Sequence, residues 1–342
     1  MTKKRLSILI PTYNRCVHLE MLLETLAHEL TGLEELVGVL VSDNGSTDST
    51  SVVMARFAER MPNLRMIRHS QNLGMDENFC GCVEADDAEY FWLMGDDDLP
   101  RAGAVGYVLK LVAAQQPDLV YLESDWCAEL KDHRPDDPVP NVSPLQLETL
   151  TFARRVNVWT TFISGMVVKR ATFVDKATSQ QLRRYNKTNL VQLSWILGTL
   201  AEGRKLLYIP EPCVLATSGN TGGYAVLKVF GEYFPSIVSQ QFGADSLVAR
   251  AVIRRTAFGY LPGLAWKVRT GGVGRFTAEQ ASAAIVRPDV AGALSCQIVR
   301  LISEWPLAFA FTTRVLCSMG AKAIRVHDLI LESLGNRKRK LA

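Results

Sequence analysis

Five short apolar runs recur at nearly even intervals in the first 125 residues, and their spacing limits the fold more than any other feature. The runs begin at Leu6, Leu36, Leu64, Tyr90 and Leu119, so successive starts are 30, 28, 26 and 29 residues apart. Amphipathic helical patterns fill the intervals. Strands that alternate with helices in this way are typical of right-handed βαβ units, and near-continuous apolar strands fit a sheet covered on both faces. The pattern predicts an α/β domain with a mostly parallel, Rossmann-like sheet flanked by helices.

Beyond the fifth run the pattern changes. Residues 135–144 are rich in proline and aspartate, which indicates a loop or a domain seam, and residues 161–168 have the composition of a strand. From about Ala225 the apolar spacing is helical. The expected organisation is an α/β domain over residues 1–224, with halves 1–125 and 126–224, followed by a mainly helical region over residues 225–342.

Composition and charge narrow the class of protein. The chain is 48% hydrophobic and 21% charged, as expected of a folded protein with a sizeable core. Its net charge of +3 is too small to indicate nucleic-acid binding, and we expect none. The charge is uneven, because residues 251–342 hold 14 Lys and Arg against 5 Asp and Glu, a balance of +9. Seven cysteines without a CxxC motif and five histidines without metal-ligand spacing favour reduced thiols in a cytoplasmic protein.

Polar side chains follow each of the first four apolar runs. In sheets of this kind the ligand lies beyond the carboxyl ends of the strands, so these side chains form the candidate site. They are Pro11, Thr12, Tyr13 and Arg15 after the first run, Asp43 after the second, Asn72, Gly74 and Asn78 after the third, and Asp96, Asp97 and Asp98 after the fourth.

The run Asp96–Asp98 is the most distinctive of these features. Adjacent carboxylates repel one another unless a cation or solvent compensates them. Mg²⁺ and Mn²⁺ prefer carboxylate oxygens and keep positions open for substrate phosphates, so the run predicts a metal that bridges a diphosphate. The alternative is a solvated turn or a helix N-cap ahead of Pro100. Asp43 ends a buried strand and therefore needs a hydrogen-bond donor, which a nucleobase N–H or a ribose hydroxyl would supply.

Four segments in register carry a family resemblance: LSILIPTYNR, VSDNGSTDST, NLGMDEN and FWLMGDDD. They resemble family 2 glycosyltransferases, and the later FISGMVV and PCV…GNTGGY segments are similar to an abequosyltransferase-like subgroup. The resemblance implies a GT-A fold, a nucleotide-sugar donor, Mg²⁺ or Mn²⁺, and inverting transfer of a hexosyl or deoxyhexosyl unit. It also implies a lipid-linked glycan acceptor, as in O-antigen, lipopolysaccharide or other cell-surface polysaccharide assembly.

The resemblance also gives each candidate residue an expected role. Residues 1–125 become the nucleotide-sugar half and residues 126–224 the acceptor half. The expected nucleotide-sugar ligands are Pro11, Thr12, Tyr13, Arg15, Asp43, Asn72, Gly74, Asn78 and Asp96, and the expected metal ligands are Asp96, Asp97 and Asp98, with Asp97 as the first catalytic candidate. Two positions depart from the family pattern, since the common DDGS reads Asp43-Asn44 and the usual DxDD lacks its first aspartate, where Gly95 stands.

The catalytic base stays open at this point. Family members often use an aspartate on a helix about 90 residues beyond the aspartate run, but no Asp or Glu lies between Asp175 and Glu202, and the corresponding helix carries Gln192. An amide cannot accept the proton of the acceptor hydroxyl. Asp125, after the fifth run, is the substitute, with an exposed loop residue as the alternative reading.

The basic, apolar tail and the overall function each allow two interpretations. Residues 305–325 mix aromatic and aliphatic side chains with cations, and Arg337–Lys340 is a basic cluster, so the tail could contact an anionic membrane surface or pack as an ordinary helix. We expect a glycosyltransferase in the cytoplasm or peripheral on the inner face of its membrane. The alternative is a non-catalytic sugar-nucleotide-binding or scaffold protein. A nucleotidyltransferase is disfavoured, because PTYNRC lacks a glycine-rich, lysine-containing loop.

Overall fold

The structure is a computed structural model that describes residues 3–127, 138–139, 142–218, 224–271, 300–303 and 305–322. The basic cluster Arg337–Lys340 and half of the proline-rich segment 135–144 lie outside the described residues.

Apart from the two-residue strand β5, which follows β4 directly, the described elements alternate between strands and helices up to Cys127, as the apolar runs predict. The strands are β1 (Leu6–Thr12), β2 (Val37–Asp43), β3 (Leu64–Arg68), β4 (Tyr90–Leu93), β5 (Leu99–Pro100), β6 (Leu119–Cys127), β7 (Leu145–Leu147), β8 (Met166–Lys169) and β9 (Leu206–Thr217). The helices are α1 (Cys16–Glu29), α2 (Thr50–Arg60), α3 (Met75–Ala85), α4 (Ala104–Gln115), α5 (Thr149–Val156), α6 (Ser179–Leu182), α7 (Leu193–Glu202), α8 (Val226–Lys228), α9 (Phe234–Phe242), α10 (Leu247–Arg255) and α11 (Leu261–Arg269). Residues 307–322 are also helical.

The nine strands form one sheet in the order β3-β2-β1-β4-β8-β6-β9-β5, with β7 on β9. The first four strands of this order are parallel, and β1 aligns residue by residue with β2 from Leu6 opposite Val37 to Thr12 opposite Asp43. All five apolar runs of the sequence are strands of this sheet, which confirms the predicted α/β fold class.

The second half of the sheet is mixed rather than parallel. Strand β8 runs antiparallel to both β4 and β6, and β5 and β7 run antiparallel to β9. The sequence predicted a strand over residues 161–168, but residues 157–161 and 163–165 form 3₁₀ turns and β8 begins only at Met166. A Cβ atom at Gly165 would lie 2.9 Å from the Phe162 ring, so a larger residue here would require that ring to shift.

Helix α1 illustrates how the sheet is covered. Its buried residues Leu19, Leu22, Leu23 and Leu26 recur at helical spacing and form one apolar face. They belong to a single cluster with inward side chains of β1, β2, β4 and helix α4. Burial of each such leucine stabilises the fold by about 1.5–3 kcal/mol. The cysteines among the described residues are free thiols.

Contacts divide the chain into two compact units. The first consists of Met1–Thr149 and Trp159–Gly219 and contains the whole sheet, while the second consists of Leu150–Val158 and Asn220–Ala342 and is helical where it is described. The expected boundary at residue 224 lies close to the division at Gly219, whereas no sequence signal placed residues 150–158 with the second unit.

Candidate functional site

The carboxyl ends of β1, β2 and β4 lie at one edge of the sheet and bring the predicted site residues together. Thr12 is the last residue of β1 and pairs with Asp43 at the end of β2. The turn that carries the three aspartates follows β4, which is the other neighbour of β1. Parallel strands therefore place these groups side by side, as the sequence predicted.

Thr12 and Arg15 bind the aspartate turn from the β1 side. The Thr12 hydroxyl donates to Asp96 Oδ2 at 2.6 Å, and Arg15 Nη1 donates to Asp96 Oδ1 and to Asp97 Oδ2, both at 2.8 Å. Burial raises the pKa of Asp96 to about 6, against the opposing charge of Arg15. Burial alone lowers the pKa of Arg15, but its two carboxylate partners outweigh this and hold it above the ordinary value. The loop between β1 and α1 thus supplies a fixed positive charge, Arg15, beside two carboxylates.

Asp98 binds different segments of the chain from its two neighbours. Its Oδ2 accepts from the Ser164 hydroxyl at 2.5 Å, and its Oδ1 accepts from the Thr217 backbone N–H at 3.1 Å. Burial raises the pKa of Asp98 well above its ordinary value. The carboxylate is therefore used to join the aspartate turn to β8 and β9.

The three aspartates consequently do not converge on a common point. Among the residues that the structure describes, no group of three or more His, Cys, Asp or Glu side chains could hold a metal ion together. The metal role of Asp98 stays a prediction, and each of its oxygens already accepts one hydrogen bond from the protein. Asp97, whose side chain is 22% exposed, is the most open carboxylate of the run.

Asp43 is buried at the end of β2 and has one unused oxygen. Its Oδ1 accepts from the Ser46 backbone N–H at 2.9 Å, which closes the turn toward α2. Its Oδ2 has no hydrogen-bond partner. Arg68 Nε lies 3.3 Å from Oδ2, close enough for an ion pair but outside hydrogen-bond geometry, so we regard this oxygen as charge-compensated but with a free acceptor position. The Arg68 side chain is 55% exposed and covers Asp43 from the solvent side.

Asn44 organises the loop after β3. Its amide nitrogen donates to Asn72 Oδ1 at 2.9 Å and to the Gly74 carbonyl at 3.2 Å, and its amide oxygen accepts from the Leu73 N–H at 2.9 Å. A carboxylate could not donate to these two oxygens. This explains why the position that is acidic in the family pattern carries an amide here. Asn72 and Gly74 are exposed beside the turn, as expected of ligand-facing groups.

Two other candidates, Asn78 and Asp125, differ in their exposure to solvent, and Gln192 stands where family members often carry the base. Asn78 is buried, its amide oxygen accepts from the Ser42 hydroxyl at 2.6 Å and its amide nitrogen donates to the Ser42 carbonyl, so its amide joins α3 to β2 and is not open to a ligand. Asp125 is exposed near the end of β6 and stays a prediction. Gln192 donates to the Thr161 carbonyl at 2.9 Å, while its buried amide oxygen has no partner.

Sequence reasoning missed three polar residues that complete the site. Ser164 accepts from the Gly95 N–H at 2.9 Å while it donates to Asp98, and Thr217 holds the other oxygen of Asp98. Arg68 ends β3, so the rule that polar residues after each strand form the site would have found it. Ser164 and Thr217 gave no such signal, because they come from distant parts of the chain.

Comparison with known proteins finds a family match in the first part of the chain. Residues 7–174 match the family described as glycosyl transferase family 2. Over 96 residues the chain is 38% identical to abequosyltransferase RfbV of Salmonella typhimurium, a match that covers 27% of this chain and 28% of that protein. The chain thus spans little more than a quarter of the length of this curated relative.

Two solved structures share the fold. S. aureus TarS 1–349 in complex with UDP-GlcNAc has a TM-score of 0.56 at 13% identity, covering 95% of this chain and 92% of that one. Mannosyltransferase PcManGT from Pyrobaculum calidifontis in complex with GDP-Man and Mn²⁺ has a TM-score of 0.51 at 17% identity, covering 96% and 88%. Both likenesses concern the architecture and confirm the GT-A fold. Residues 7–174 of this chain are a glycosyl transferase family 2 domain.

Proposed function

We propose that this chain transfers a sugar from a nucleotide-sugar donor to a glycan acceptor, with inversion at the anomeric carbon. The observation that carries the proposal is the buried Asp43 oxygen without a hydrogen-bond partner, in a family 2 domain and at the sheet edge shared with the aspartate turn. A buried hydrogen-bond acceptor without a donor destabilises the fold by about 1–3 kcal/mol. A ligand that donates a hydrogen bond to it therefore gains about that free energy on binding.

The nucleotide lies along this edge in our proposal. Its base or ribose donates to Asp43 Oδ2 after Arg68, which is half exposed, moves aside. The loop of Asn72 and Gly74 and the exposed side chain of Tyr13 flank the ribose, while Pro11 is buried at the end of β1 beneath it. The diphosphate then reaches Arg15, and Thr12 keeps Asp96 in place.

The residues present fit one Mg²⁺ or Mn²⁺ ion shared with the substrate. Mg²⁺ is commonly bound by one or two carboxylates plus substrate phosphates, and Asp97, with Asp96 as second ligand, supplies such a set. Gly95 leaves room for the Asp97 carboxylate, because a Cβ atom there would lie 3.0 Å from Asp97 Oδ1. When bound, the metal would neutralise the charge that develops on the departing diphosphate. Arg15 adds a fixed positive charge at the same place.

The class of sugar transferred and the class of acceptor are inferred from similarity to a known glycosyltransferase. The 38% identity to an abequosyltransferase over 96 residues supports transfer of a hexosyl or deoxyhexosyl unit in O-antigen or other cell-surface polysaccharide assembly. A lipid-linked acceptor would place the enzyme in the cytoplasm, at the inner face of the membrane. We also propose a role for each part of the chain. Residues 1–125 bind the donor, residues 126–224 bind the acceptor, and residues 225–342 form a supporting region.

The helix over residues 307–322 supports a peripheral contact with anionic membrane. Ala310 is fully buried, and Phe311 packs on the Trp266 ring at 5.7 Å between centroids, so one face of the helix is held by the second unit. The opposite face is apolar and more than half exposed, at Phe309, Leu316 and Met319. Packing within the unit accounts for only the first face. No helix in the described part of the chain is long and apolar enough to cross a bilayer.

A binding screen tests the proposal. Calorimetric titration of the full chain with UDP-, GDP-, CDP- and dTDP-sugars, with and without Mn²⁺, should find one nucleotide class that binds at least about tenfold more tightly than the others. Absence of binding by every class would reject it. Binding without turnover would favour the non-catalytic alternative, and the turnover measurement in the Discussion separates the two.

A further inference from the structure

Three aromatic side chains pack together beside the proposed donor site. Trp126, near the end of β6, lies with its ring centroid 5.2 Å from that of Trp159 and 4.8 Å from that of Phe162. Trp126 is 41% exposed, whereas the other two rings are partly buried behind it. We call these three residues the aromatic platform. Its exposed ring is a flat apolar surface on a unit whose remaining site residues are polar.

The platform is tied to the aspartate turn from two sides. Trp126 pairs with Ala216 in the β6–β9 ladder, and the next residue, Thr217, donates its N–H to Asp98. Phe162 lies two residues before Ser164 in the chain, and the Ser164 hydroxyl donates to the other oxygen of Asp98. The buried carboxylate of Asp98 therefore fixes the platform relative to the turn that carries Asp97.

Strand order places the platform beyond the donor, on the side away from the nucleobase. Asp43 ends β2, and the path to Trp126 on β6 crosses β1, β4 and β8. With about 4.8 Å between neighbouring strands, Trp126 lies roughly 19 Å from the line of β2 but only about 10 Å from that of β4. A nucleotide with its base or ribose at Asp43 and its diphosphate at Asp97 occupies the part of this edge between β2 and β4. The next group along it is the acceptor.

We propose that the aromatic platform binds a pyranose ring of the acceptor glycan, an inference that rests on the proposed function. One face of a pyranose presents C–H groups with partial positive charge, which suits the negative face of an aromatic ring. The hydroxyls of the sugar require polar neighbours, and Ser124 lies two residues before Trp126, on the same face of β6. Pockets that join an aromatic surface to a few polar groups are typical of small polar ligands.

Saturation-transfer NMR tests the platform with simple probes. Methyl α-D-glucopyranoside, methyl α-D-galactopyranoside and methyl α-D-mannopyranoside are titrated into the full-length wild type, Trp126→Ala, Trp126→Phe and Leu145→Ala. Leu145→Ala is the matched control, because Leu145 is 40% exposed on the same sheet. At least one probe should bind wild type, with Kd raised about three- to tenfold in Trp126→Ala, less in Trp126→Phe and unchanged in Leu145→Ala.

The outcomes separate the platform from the proposed function. If no probe binds wild type, or if Trp126→Ala binds as wild type does, the platform assignment is wrong. Circular dichroism melts verify that each variant is folded, and the Trp126→Phe variant provides the comparison if Trp126→Ala is not. A separate titration of wild type with nucleotide sugars tests the donor site alone. Its failure would reject the proposed function, whereas probe binding that depends on Trp126 would still support a sugar-binding platform.

Discussion

At the scale of single residues, the three aspartates after β4 have different environments. Asp96 is paired with Thr12 and Arg15, Asp97 is open on one side, and Asp98 is held between two distant segments. The sequence could predict that the run lies at a strand end, since an apolar strand precedes it. It could not predict the task of Asp98, because Ser164 is 66 residues away and Thr217 is 119 residues away.

Asp43 offers a direct residue-scale test. Asp43→Asn keeps an oxygen for the Ser46 N–H but replaces the free acceptor by an N–H₂ group, which opposes a donor on the ligand. Nucleotide affinity should fall by about 1–3 kcal/mol, measured by calorimetry with the class that binds wild type. Asp87→Asn, at an exposed position, is the control. Unchanged nucleotide affinity in a folded Asp43→Asn variant would show that neither the base nor the ribose donates to Asp43.

Asp96 gives a pH-dependent prediction. Its pKa is raised to about 6 by burial, whereas an unfolded aspartate titrates near 3.9, so the folded chain holds an extra proton between these values. Its contribution to stability is therefore complete below about pH 4 and is lost as the pH rises to about 6, by about 3 kcal/mol at most. Urea denaturation between pH 4 and 7 should show a smaller decline for Asp96→Asn than for wild type. Equal declines would mean that Asp96 titrates normally.

At the scale of elements, the parallel strands were predictable and the antiparallel ones were not. Strands β1, β2 and β4 are near-continuous apolar runs and β6 begins with one, which the sequence shows directly. Strand β8 is only four residues long and follows two 3₁₀ turns, so its direction depends on pairing with β4 and β6 rather than on its own pattern. Short strands carry too few residues to display a period.

Helix α3 holds the segment ahead of α7 through one buried carboxylate. Asp76 accepts from the backbone N–H groups of Thr188, Asn189 and Val191 at 3.0, 3.0 and 3.3 Å. Asp76→Ala leaves these donors without partners and should lower the free energy of unfolding by about 2–4 kcal/mol. Denaturant titration against the exposed Asp87→Ala control measures the loss. A difference below about 0.5 kcal/mol would show that solvent or a shifted backbone replaces the carboxylate.

At the scale of the whole molecule, the charge balance of +9 over residues 251–342 and the exposed apolar face of helix 307–322 together predict membrane attachment. Each buried Phe or Leu contributes about 1.5–3 kcal/mol, and each cation near an anionic surface about 1 kcal/mol. The full chain should therefore sediment with phosphatidylglycerol vesicles at low salt and less at high salt. Replacing Phe309 and Leu316 by serine should reduce sedimentation at least about tenfold.

The control for this experiment is Leu247→Ser, which removes an apolar side chain that is 68% exposed in the same unit but outside the helix. It should sediment as wild type does. If folded wild type stays in the supernatant at low salt, or if the serine variant sediments equally well, the helix has no role at the membrane.

The central claim is tested most directly by turnover. Release of nucleoside diphosphate is measured with the nucleotide sugar that binds most tightly and with Mn²⁺, in the presence and absence of a glycan acceptor. Wild type should release the diphosphate, Asp97→Asn should lose at least about a hundredfold in rate, and Asp98→Asn should keep most of it, because an amide can still accept from Thr217 and donate to Ser164. No release from any bound donor, or equal release by folded Asp97→Asn, would contradict the account.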